Sequence, residues 1–300
     1  MQTTLGLSIT LSGLSRLYSD DLAGVVETAR IADELGIDQI AVPDHVVMGA
    51  NLEAYPYGRF PFPVEEPWLE PIVALGAIAG ATRRIRLATN VLIAPLRSAP
   101  LLAKSVATLD ALSNGRVDLG VGSGWQMEEY LATGVPFVDR SSRLYDVLCA
   151  CRVLWREAPA SFRSETVEFD EVWCLPRPVQ AGGIPIFVGA ALGATAVERM
   201  IRLDAGWMPI TSSLDEISDG VGLLQRARKL AGLEPARPRV RANVPLVAGA
   251  NGRPDLERIL GDLPALAEAG ATTAAFPLAA FAREPAEIRP FLERLARRAR

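Results

Sequence analysis

The stretch Ala32-Asp-Glu-Leu-Gly-Ile-Asp-Gln-Ile-Ala-Val-Pro-Asp-His45 contains the unit that decides the fold: a helix end, a glycine, a short strand and a proline. An amphipathic helical pattern over residues 20–35 stops at Gly36, a residue that suits the left-handed position after a helix. Residues 38–42 form an apolar strand pattern. Pro43 ends that strand, because proline cannot donate a hydrogen bond to a central ladder.

A strand pattern followed by a helical pattern occurs eight times along the chain. An amphipathic helical pattern follows each of the strand patterns, which cover residues 5–10, 38–42, 85–93, 116–122, 185–189, 206–210, 239–248 and 272–276. Strict alternation of strands and helices indicates a parallel sheet, and the number eight favours closure into a barrel over an open sheet. We therefore predict an α/β fold, with residues 1–300 forming a single (β/α)8 TIM-barrel domain.

Three segments do not fit the repeat. Residues 46–67 after the second strand and residues 124–140 after the fourth are predicted insertions, and residues 161–179 are predicted to form a hairpin excursion before the fifth strand. The first insertion is rich in aromatic residues, which gain by burial, and loops of this length in compact domains are commonly functional.

Composition excludes several classes of function. The formal net charge of -4 is spread without blocks, so the chain shows no nucleic-acid footprint. No apolar run reaches the length of a membrane span, and the N-terminal residues lack a signal-peptide pattern. With three cysteines and one histidine, neither a disulfide framework nor a metal site is expected. A cytoplasmic protein with a small-molecule substrate is the expectation.

Active sites of such barrels lie at the carboxyl ends of the strands. His45 is there, beside Asp44, and histidine is the residue type whose unperturbed pKa lies nearest neutrality. His45 is interpreted either as a proton donor or acceptor, or as a turn residue that satisfies a nearby carbonyl. Asp44 is interpreted either as part of the catalytic pair or as the cap of a turn.

Two glycine-containing segments are candidates for ligand binding. Residues 120–124 follow the fourth strand and contain three glycines, which either allow close approach to a ligand or form a tight turn. Residues 189–195 place a glycine between the fifth strand and a helix N-terminus, a geometry that suits a phosphate.

The motifs resemble those of the luciferase-like monooxygenase superfamily, and most nearly its F420-dependent oxidoreductase branch. The resemblance covers roughly residues 3–210 and is carried by residues 32–45, 84–91, 102–125, 176–180, 185–189 and 205–207. It implies a TIM barrel that binds reduced FMN or the deazaflavin coenzyme F420 at its mouth.

The resemblance also implies roles for individual positions. Asp44 and His45 match the catalytic pair near the cofactor ring, and Asn90–Val91 matches a non-prolyl cis peptide beneath it. The segments matching the cofactor tail and phosphate contacts are Gly122, Ser123 and Gly124, then Gly189, Ala190, Ala191 and Leu192. Tyr55, Tyr57, Phe60 and Trp125, with Phe62 nearby, are expected to line the substrate side.

Two positions depart from the family pattern. Trp125 stands where the sugar-phosphate dehydrogenase branch carries an acidic residue, which argues against that activity. Gly189-Ala190-Ala191 replaces a Gly-Gly-Ser segment and so lacks a hydroxyl donor.

The function expected from the resemblance is hydride transfer between F420 and a small organic, apolar or planar substrate. The alternatives are a two-component monooxygenase that uses reduced FMN and oxygen, and a non-catalytic cofactor-binding barrel. A homodimer and a separate flavin or F420 reductase are the expected partners, by analogy alone.

Overall fold

The computed structural model describes residues 5–19, 21–233, 237–249 and 252–298. Eleven strands occur in these ranges: β1 (Gly6–Thr10), β2 (Gln39–Val42), β3 (Arg86–Thr89), β4 (Leu92–Ile93), β5 (Val117–Gly122), β6 (Ala160–Arg163), β7 (Glu168–Val172), β8 (Ile186–Gly189), β9 (Gly206–Met208), β10 (Arg241–Asn243) and β11 (Thr273–Pro277).

Twelve α-helices lie between and after them: α1 (Leu14–Tyr18), α2 (Gly24–Leu35), α3 (Pro71–Ala81), α4 (Ala99–Ser113), α5 (Met127–Ala132), α6 (Arg140–Arg156), α7 (Ala194–Arg202), α8 (Leu214–Leu230), α9 (Leu256–Gly261), α10 (Leu263–Glu268), α11 (Leu278–Phe281) and α12 (Pro285–Arg298). Within the described ranges, no helix is both long and apolar enough to span a membrane.

Eight parallel strands form a nearly closed barrel in the order β10-β11-β1-β2-β3-β5-β8-β9. The last step, from β9 to β10, consists of a single parallel bridge between Trp207 and Val240, with the Trp207 amide donating to the Arg239 carbonyl at 2.8 Å. The predicted (β/α)8 fold is confirmed. Strands such as β2 are buried along their whole length, because helices cover the sheet outside and side chains fill it inside.

The predicted third strand, residues 85–93, is divided in two. Arg86–Thr89 pairs with β2 and β5, whereas Leu92–Ile93 pairs only with the end of β5. The Asn90–Val91 peptide between them is cis, as the family pattern predicts. The backbone turns out of the ladder there, at the carboxyl end of the barrel.

Other predicted elements were too long. The sixth strand, predicted over residues 206–210, covers Gly206–Met208. The seventh strand, predicted over residues 239–248, covers only Arg241–Asn243, the three residues that pair with β11. The helical pattern that follows the seventh strand in the sequence runs over residues 255–269 and predicts one helix there. In the structure this segment is divided at Asp262 into α9 and α10, since Pro264 lacks the amide that a continuous helix would need.

The predicted insertions are present. The residues after β2 form a long loop whose regular structure is one 3-10 turn, Leu52–Ala54, before α3 begins. The insertion after β5 contains α5, and the excursion before β8 is the antiparallel hairpin of β6 and β7.

Candidate active site at the barrel mouth

An aromatic cluster encloses His45 at the carboxyl end of β2. The ring centroid of His45 lies 4.8 Å from that of Trp68, 6.0 Å from that of Phe60 and 6.1 Å from that of Trp125. Tyr55 extends the cluster, with centroids 5.1 Å from Phe60 and 5.2 Å from Trp125. Most of these pairs meet edge to face, an arrangement that aromatic rings favour.

The loop after β2 thus folds over the mouth and brings together three of the predicted substrate-side residues. Tyr57 stands apart: its ring contacts Tyr55 at 5.4 Å, is largely exposed, and lines a separate cavity described below. Burial, followed by repulsion from Tyr57, raises the pKa of Tyr55. Trp68, the ring nearest to His45, was not predicted.

His45 is paired with a buried carboxylate. Its Nδ1 lies 3.2 Å from Oε2 of Glu129, whose other oxygen accepts a hydrogen bond from the Val46 amide at 2.6 Å. The Glu129 side chain is 0% exposed and that of His45 9% exposed. Nδ1 is therefore held by the carboxylate, and Nε2 makes no hydrogen bond within the part of the chain that the structure describes. An imidazole held in this way can donate or accept a proton at Nε2.

The two insertions are held together next to this pair. The Gln126 side chain is buried, accepts from the Gly49 amide at 2.7 Å and donates to the Gly49 carbonyl at 3.0 Å. Together with Glu129 it anchors residues 46–49 to α5 and the turn before it. A carboxylate beside His45 is thus present, on Glu129 in the first turn of α5, although position 125 carries a tryptophan.

Asp44 makes different contacts from His45. Its carboxylate accepts both terminal nitrogens of Arg97, at 2.7 and 3.0 Å, and the Ile93 amide at 2.8 Å. The side chain is 1% exposed, and Arg97 also contacts the exposed Glu70 at 3.0 Å. These bonds join the end of β2 to β4 and the turn after it. A catalytic role for Asp44 stays a prediction.

The cis peptide forms part of the floor of the mouth. A Cβ atom on Gly122 would lie 2.7 Å from Cγ2 of Val91, and one on Gly189 would lie 3.0 Å from Cγ1. The Val91 side chain thus fills the space between the ends of β5 and β8. Both glycines were predicted for ligand contact, and the structure shows that their missing side chains accommodate Val91.

We expect Gly122→Ala to lower the free energy of unfolding by about 1–3 kcal/mol, because the new methyl overpacks against Val91. Urea denaturation measures this value. Adding Val91→Ala to the same chain should restore most of the loss. Gly76→Ala is the matched control, since Gly76 lies in α3 and its new methyl would meet no atom within 4 Å, so it should not destabilise the protein. A destabilisation that Val91→Ala leaves unchanged would contradict the packing argument.

The residues after Gly122 form a turn. Gly124 has a φ of 67°, a conformation that glycine adopts without strain, and its carbonyl accepts from Arg140 at 3.2 Å. The Ser123 carbonyl accepts from the hydroxyl of the buried Tyr130. Both interpretations of this segment therefore have support: the turn is present, and it lies at the mouth beside Val91.

Ala190, Ala191 and Leu192 line a cavity of about 700 Å³, and Gly189 precedes them at the end of β8. Trp207 forms one wall and donates from Nε1 to the Ala190 carbonyl at 2.9 Å. The cavity also contacts Tyr57, Thr211, Glu216, Asp219, Gly220 and Arg226. Helix α7 begins next to it, after Gly193, and has no side-chain cap, so the amides of its first turn lack partners within the helix. Such amides suit an anion. Among the charged lining residues that the structure describes, Arg226 is a cation, whereas Glu216 and Asp219 carry carboxylates that oppose an anion close to them.

The geometry brings the rings of His45, Phe60, Tyr55 and Trp125 together at the end of the barrel where the cis peptide lies. The cavity lined by residues 190–192 follows the end of β8. Sequence reasoning missed Glu129, Gln126, Trp68 and Arg97. Glu129 had a weak signal, because an acidic pair inside an insertion at an active-site edge is a candidate for chemistry. Nothing in the sequence separates it from its neighbour Glu128.

Comparison with known proteins decides the family. The profile of the luciferase-like monooxygenase family matches residues 1–299. The chain belongs to the luciferase-like monooxygenase family. Among relatives of this luciferase-like protein, an uncharacterized Mycobacterium tuberculosis protein is 38% identical over 225 residues, which cover 73% of this chain and 79% of the relative.

Two further similarities involve proteins of named function. An F420-dependent glucose-6-phosphate dehydrogenase of Amycolatopsis mediterranei is 31% identical over 170 residues, 55% of this chain and 47% of the relative. The oxygenating constituent of 3,6-diketocamphane monooxygenase from Pseudomonas putida, in complex with FMN, has a TM-score of 0.73 and 16% identity over 99% of this chain and 98% of that one. The second similarity shows a shared fold alone.

Proposed function

We propose that this luciferase-like protein is an F420-dependent oxidoreductase that transfers a hydride between coenzyme F420 and a small organic substrate. The observation that carries the proposal is the buried Glu129–His45 pair, enclosed by aromatic rings beside the cis peptide. When a hydride is added to a carbonyl carbon, the attached oxygen takes up a proton, and when a hydride is removed from an alcohol carbon, the attached oxygen loses one. A hydrogen-bonded imidazole can donate or accept that proton.

The residues of the mouth fit such a cofactor. The Asn90–Val91 turn would support its ring, Gly122, Ser123 and Gly124 would lie along its edge, and residues 189–192 would meet its phosphate. Gly-Ala-Ala offers no hydroxyl, but the first turn of α7 offers amides, and Thr211 and Arg226 line the same cavity. When bound, F420 supplies the hydride chemistry, while the protein positions the ring and moves the proton.

The substrate would lie under the loop after β2. Its side chains there are rings with few polar atoms, so we infer an apolar or planar substrate that presents one hydroxyl or carbonyl oxygen to His45. Phe60, Tyr55 and Trp125 would contact its apolar part. Asp44, in this proposal, holds the mouth in shape through Arg97 and does not touch the substrate. The sugar-phosphate dehydrogenase reaction of the Amycolatopsis relative is not proposed, because aromatic rings occupy this side of the site.

Titration of the purified protein with F420 and with FMN, followed by cofactor absorbance and fluorescence, tests the cofactor. We expect F420 to bind more tightly than FMN and well below about 1 mM. Reduction of F420 by candidate alcohols, or oxidation of reduced F420 by candidate ketones, then tests hydride transfer. Failure of both cofactors to bind below that concentration would remove the proposed function.

A two-component FMN-dependent monooxygenase is the second candidate. It is favoured by the family to which the chain belongs and by the FMN-bound Pseudomonas neighbour of the same fold. Formation of an oxygenated product from a candidate substrate, with reduced FMN and oxygen and against a control without protein, separates the two functions. The control is needed because free reduced FMN itself consumes oxygen, whereas a deazaflavin carries hydride but reacts poorly with oxygen. Binding of F420 without transfer to any alcohol or ketone would favour a non-catalytic barrel. A homodimer, and a reductase that renews the reduced cofactor, complete the proposal.

A further inference from the structure

Arg241 occupies the interior of the barrel. It is the first residue of β10, at the level of Thr273 and Gly6 in the ladder, and it is 4% exposed. Its guanidinium donates to the Ser8 hydroxyl at 3.0 Å and to the Thr10 hydroxyl at 2.9 Å. Thr10 is the last residue of β1, so the side chain extends along the barrel from the amino end of the strands to their carboxyl end.

All the hydrogen-bond acceptors of this guanidinium in the described residues are neutral: the hydroxyls of Ser8 and Thr10 and the amide oxygen of Gln39, which lies 2.9 Å from Nε. The nearest connected carboxylate, Asp118, is already bound by Arg86 at 2.6 and 2.7 Å and reaches Arg241 only through the Gln39 amide.

Arg241 is therefore a buried cation without a bound anion, an arrangement that costs free energy. Burial lowers its pKa to about 10, which leaves it charged at neutral pH. In a well-packed core such a charge would be replaced easily by an apolar residue of similar volume. An anion that binds nearby would remove the penalty.

The hydroxyl of Thr10 connects the Arg241 guanidinium to Asn90, at the cis peptide. Thr10 Oγ1 also accepts a hydrogen bond from Nδ2 of Asn90, at 3.3 Å, and Asn90 begins the cis peptide. The positive charge thus lies inside the barrel directly behind the residues that we assign to the cofactor ring. Arg241 and Asn90 are joined by hydrogen bonds of 2.9 and 3.3 Å through Thr10 Oγ1. In a site of low dielectric, the guanidinium would therefore act strongly on a charge on a ring that lies against Asn90.

We infer that Arg241 is the counter-charge for the anionic form of the cofactor ring. This inference rests on the proposed function. Addition of a hydride, two electrons and one proton, to the neutral ring of oxidised FMN gives a reduced ring with one negative charge. In F420 the ring hydroxyl ionises by loss of one proton, and the charge spreads over the ring. In both cases Arg241 stabilises the anionic ring over the neutral one without touching the reacting atoms, as a positioning charge.

The test measures the cofactor and not turnover. With FMN as the probe, the midpoint potential of the bound couple is measured anaerobically against reference dyes. With F420, the ionisation of the bound ring is followed by absorbance against pH. Arg241→Gln should weaken the binding of reduced FMN relative to that of oxidised FMN by about tenfold, which lowers the midpoint potential by about 30 mV. It should also lower the ionisation constant of the bound F420 ring hydroxyl by about tenfold, which raises the apparent pKa of that hydroxyl by about 1.

Two variants serve as controls. Arg241→Lys keeps the charge and should stay near the wild-type values. Arg116→Gln removes another buried arginine, which directly precedes β5 and donates only to neutral groups, namely backbone carbonyls and the Thr82 hydroxyl. This variant should shift neither the FMN potential nor the pKa of the F420 ring hydroxyl. The wild-type protein itself should hold FMN at a potential above that of free FMN, a measurement that does not depend on any variant folding.

Unchanged values in Arg241→Gln, equal shifts in Arg116→Gln, or a wild-type potential at or below that of free FMN would each overturn the inference and leave the proposed function standing. Failure of the wild-type protein to bind both FMN and F420 would overturn the proposed function, and the inference with it. A shift in Arg241→Gln that Arg241→Lys does not share is the supporting result.

Discussion

His45→Asn should lower kcat for hydride transfer by about 10²–10⁴-fold, the range that loss of a general acid or base produces. The imidazole has its Nδ1 held by the Glu129 carboxylate, which leaves Nε2 for the substrate oxygen. Asparagine can keep a hydrogen bond to Glu129 but cannot move a proton. Stopped-flow measurement of F420 absorbance with a candidate alcohol or ketone that reacts in the assay above gives the rate. The Kd for F420 should stay close to that of the wild type.

Glu129→Gln separates positioning from chemistry. The amide retains an acceptor for the Val46 N–H but loses the charge that supports an imidazolium, so kcat should fall while KM stays nearly constant. Glu128→Gln is the matched control, because its side chain is adjacent in sequence and makes no hydrogen bond with His45 in the described residues. Wild-type kcat in His45→Asn would show that His45 is a turn residue and that proton transfer involves another group.

Asp44→Asn should lower the free energy of unfolding by about 3 kcal/mol, near the lower end of the range for breaking a buried ion pair. The variant presents an amide to the Arg97 guanidinium, which is 13% exposed and keeps only the exposed Glu70 as an anionic partner. The one remaining oxygen can still accept from the Ile93 amide and from Nη1 of Arg97, so Nη2 of Arg97 is the donor that loses its acceptor. Equilibrium urea denaturation, with the midpoint and slope both fitted, measures the effect.

Glu70→Gln provides the comparison, because it removes the exposed half of the same arginine's contacts and should cost less than about 1 kcal/mol. The pair of variants also decides how Asp44 acts. A stable Asp44→Asn protein without activity would support the catalytic role predicted from the sequence. An unstable one that retains the hydride-transfer step per folded molecule would support the structural role.

The barrel could be predicted from sequence because each strand and helix carries its own period, and eight repetitions leave few other topologies. Val42-Pro43 marks the end of β2 for a local reason, the missing amide of proline. The break in the helix at residues 255–269 was equally local, since Pro264 is visible in the sequence. It was missed because the apolar spacing continues across it.

The details of the site depend on distant contacts. Val91 packs against Gly122 and Gly189, which lie far along the chain, and no local pattern predicts where a side chain will fill the space of a glycine. Glu129 meets His45 across 84 positions of sequence. Its burial, which distinguishes it from Glu128, arises only when the two insertions pack on each other. Arg241 is a further case: a cationic residue in a strand pattern gives no sign of whether it faces the barrel interior.

The anchoring of residues 46–49 to the insertion after β5 has a consequence for the timing of events at the mouth. Glu129 uses one oxygen to hold the Val46 amide and the other to hold His45, and Gln126 holds both backbone groups of Gly49. Any movement that lifts residues 46–49 from α5 would therefore break the His45–Glu129 pair, to which we assign the proton transfer, and would open the site to water at the same time. In the proposed mechanism, the site would be open to the substrate only while the His45–Glu129 pair is broken. A substrate that prevents the loop from closing again would therefore not be protonated or deprotonated. The enzyme would then select among substrates by whether the loop can close over them, before any bond is made or broken.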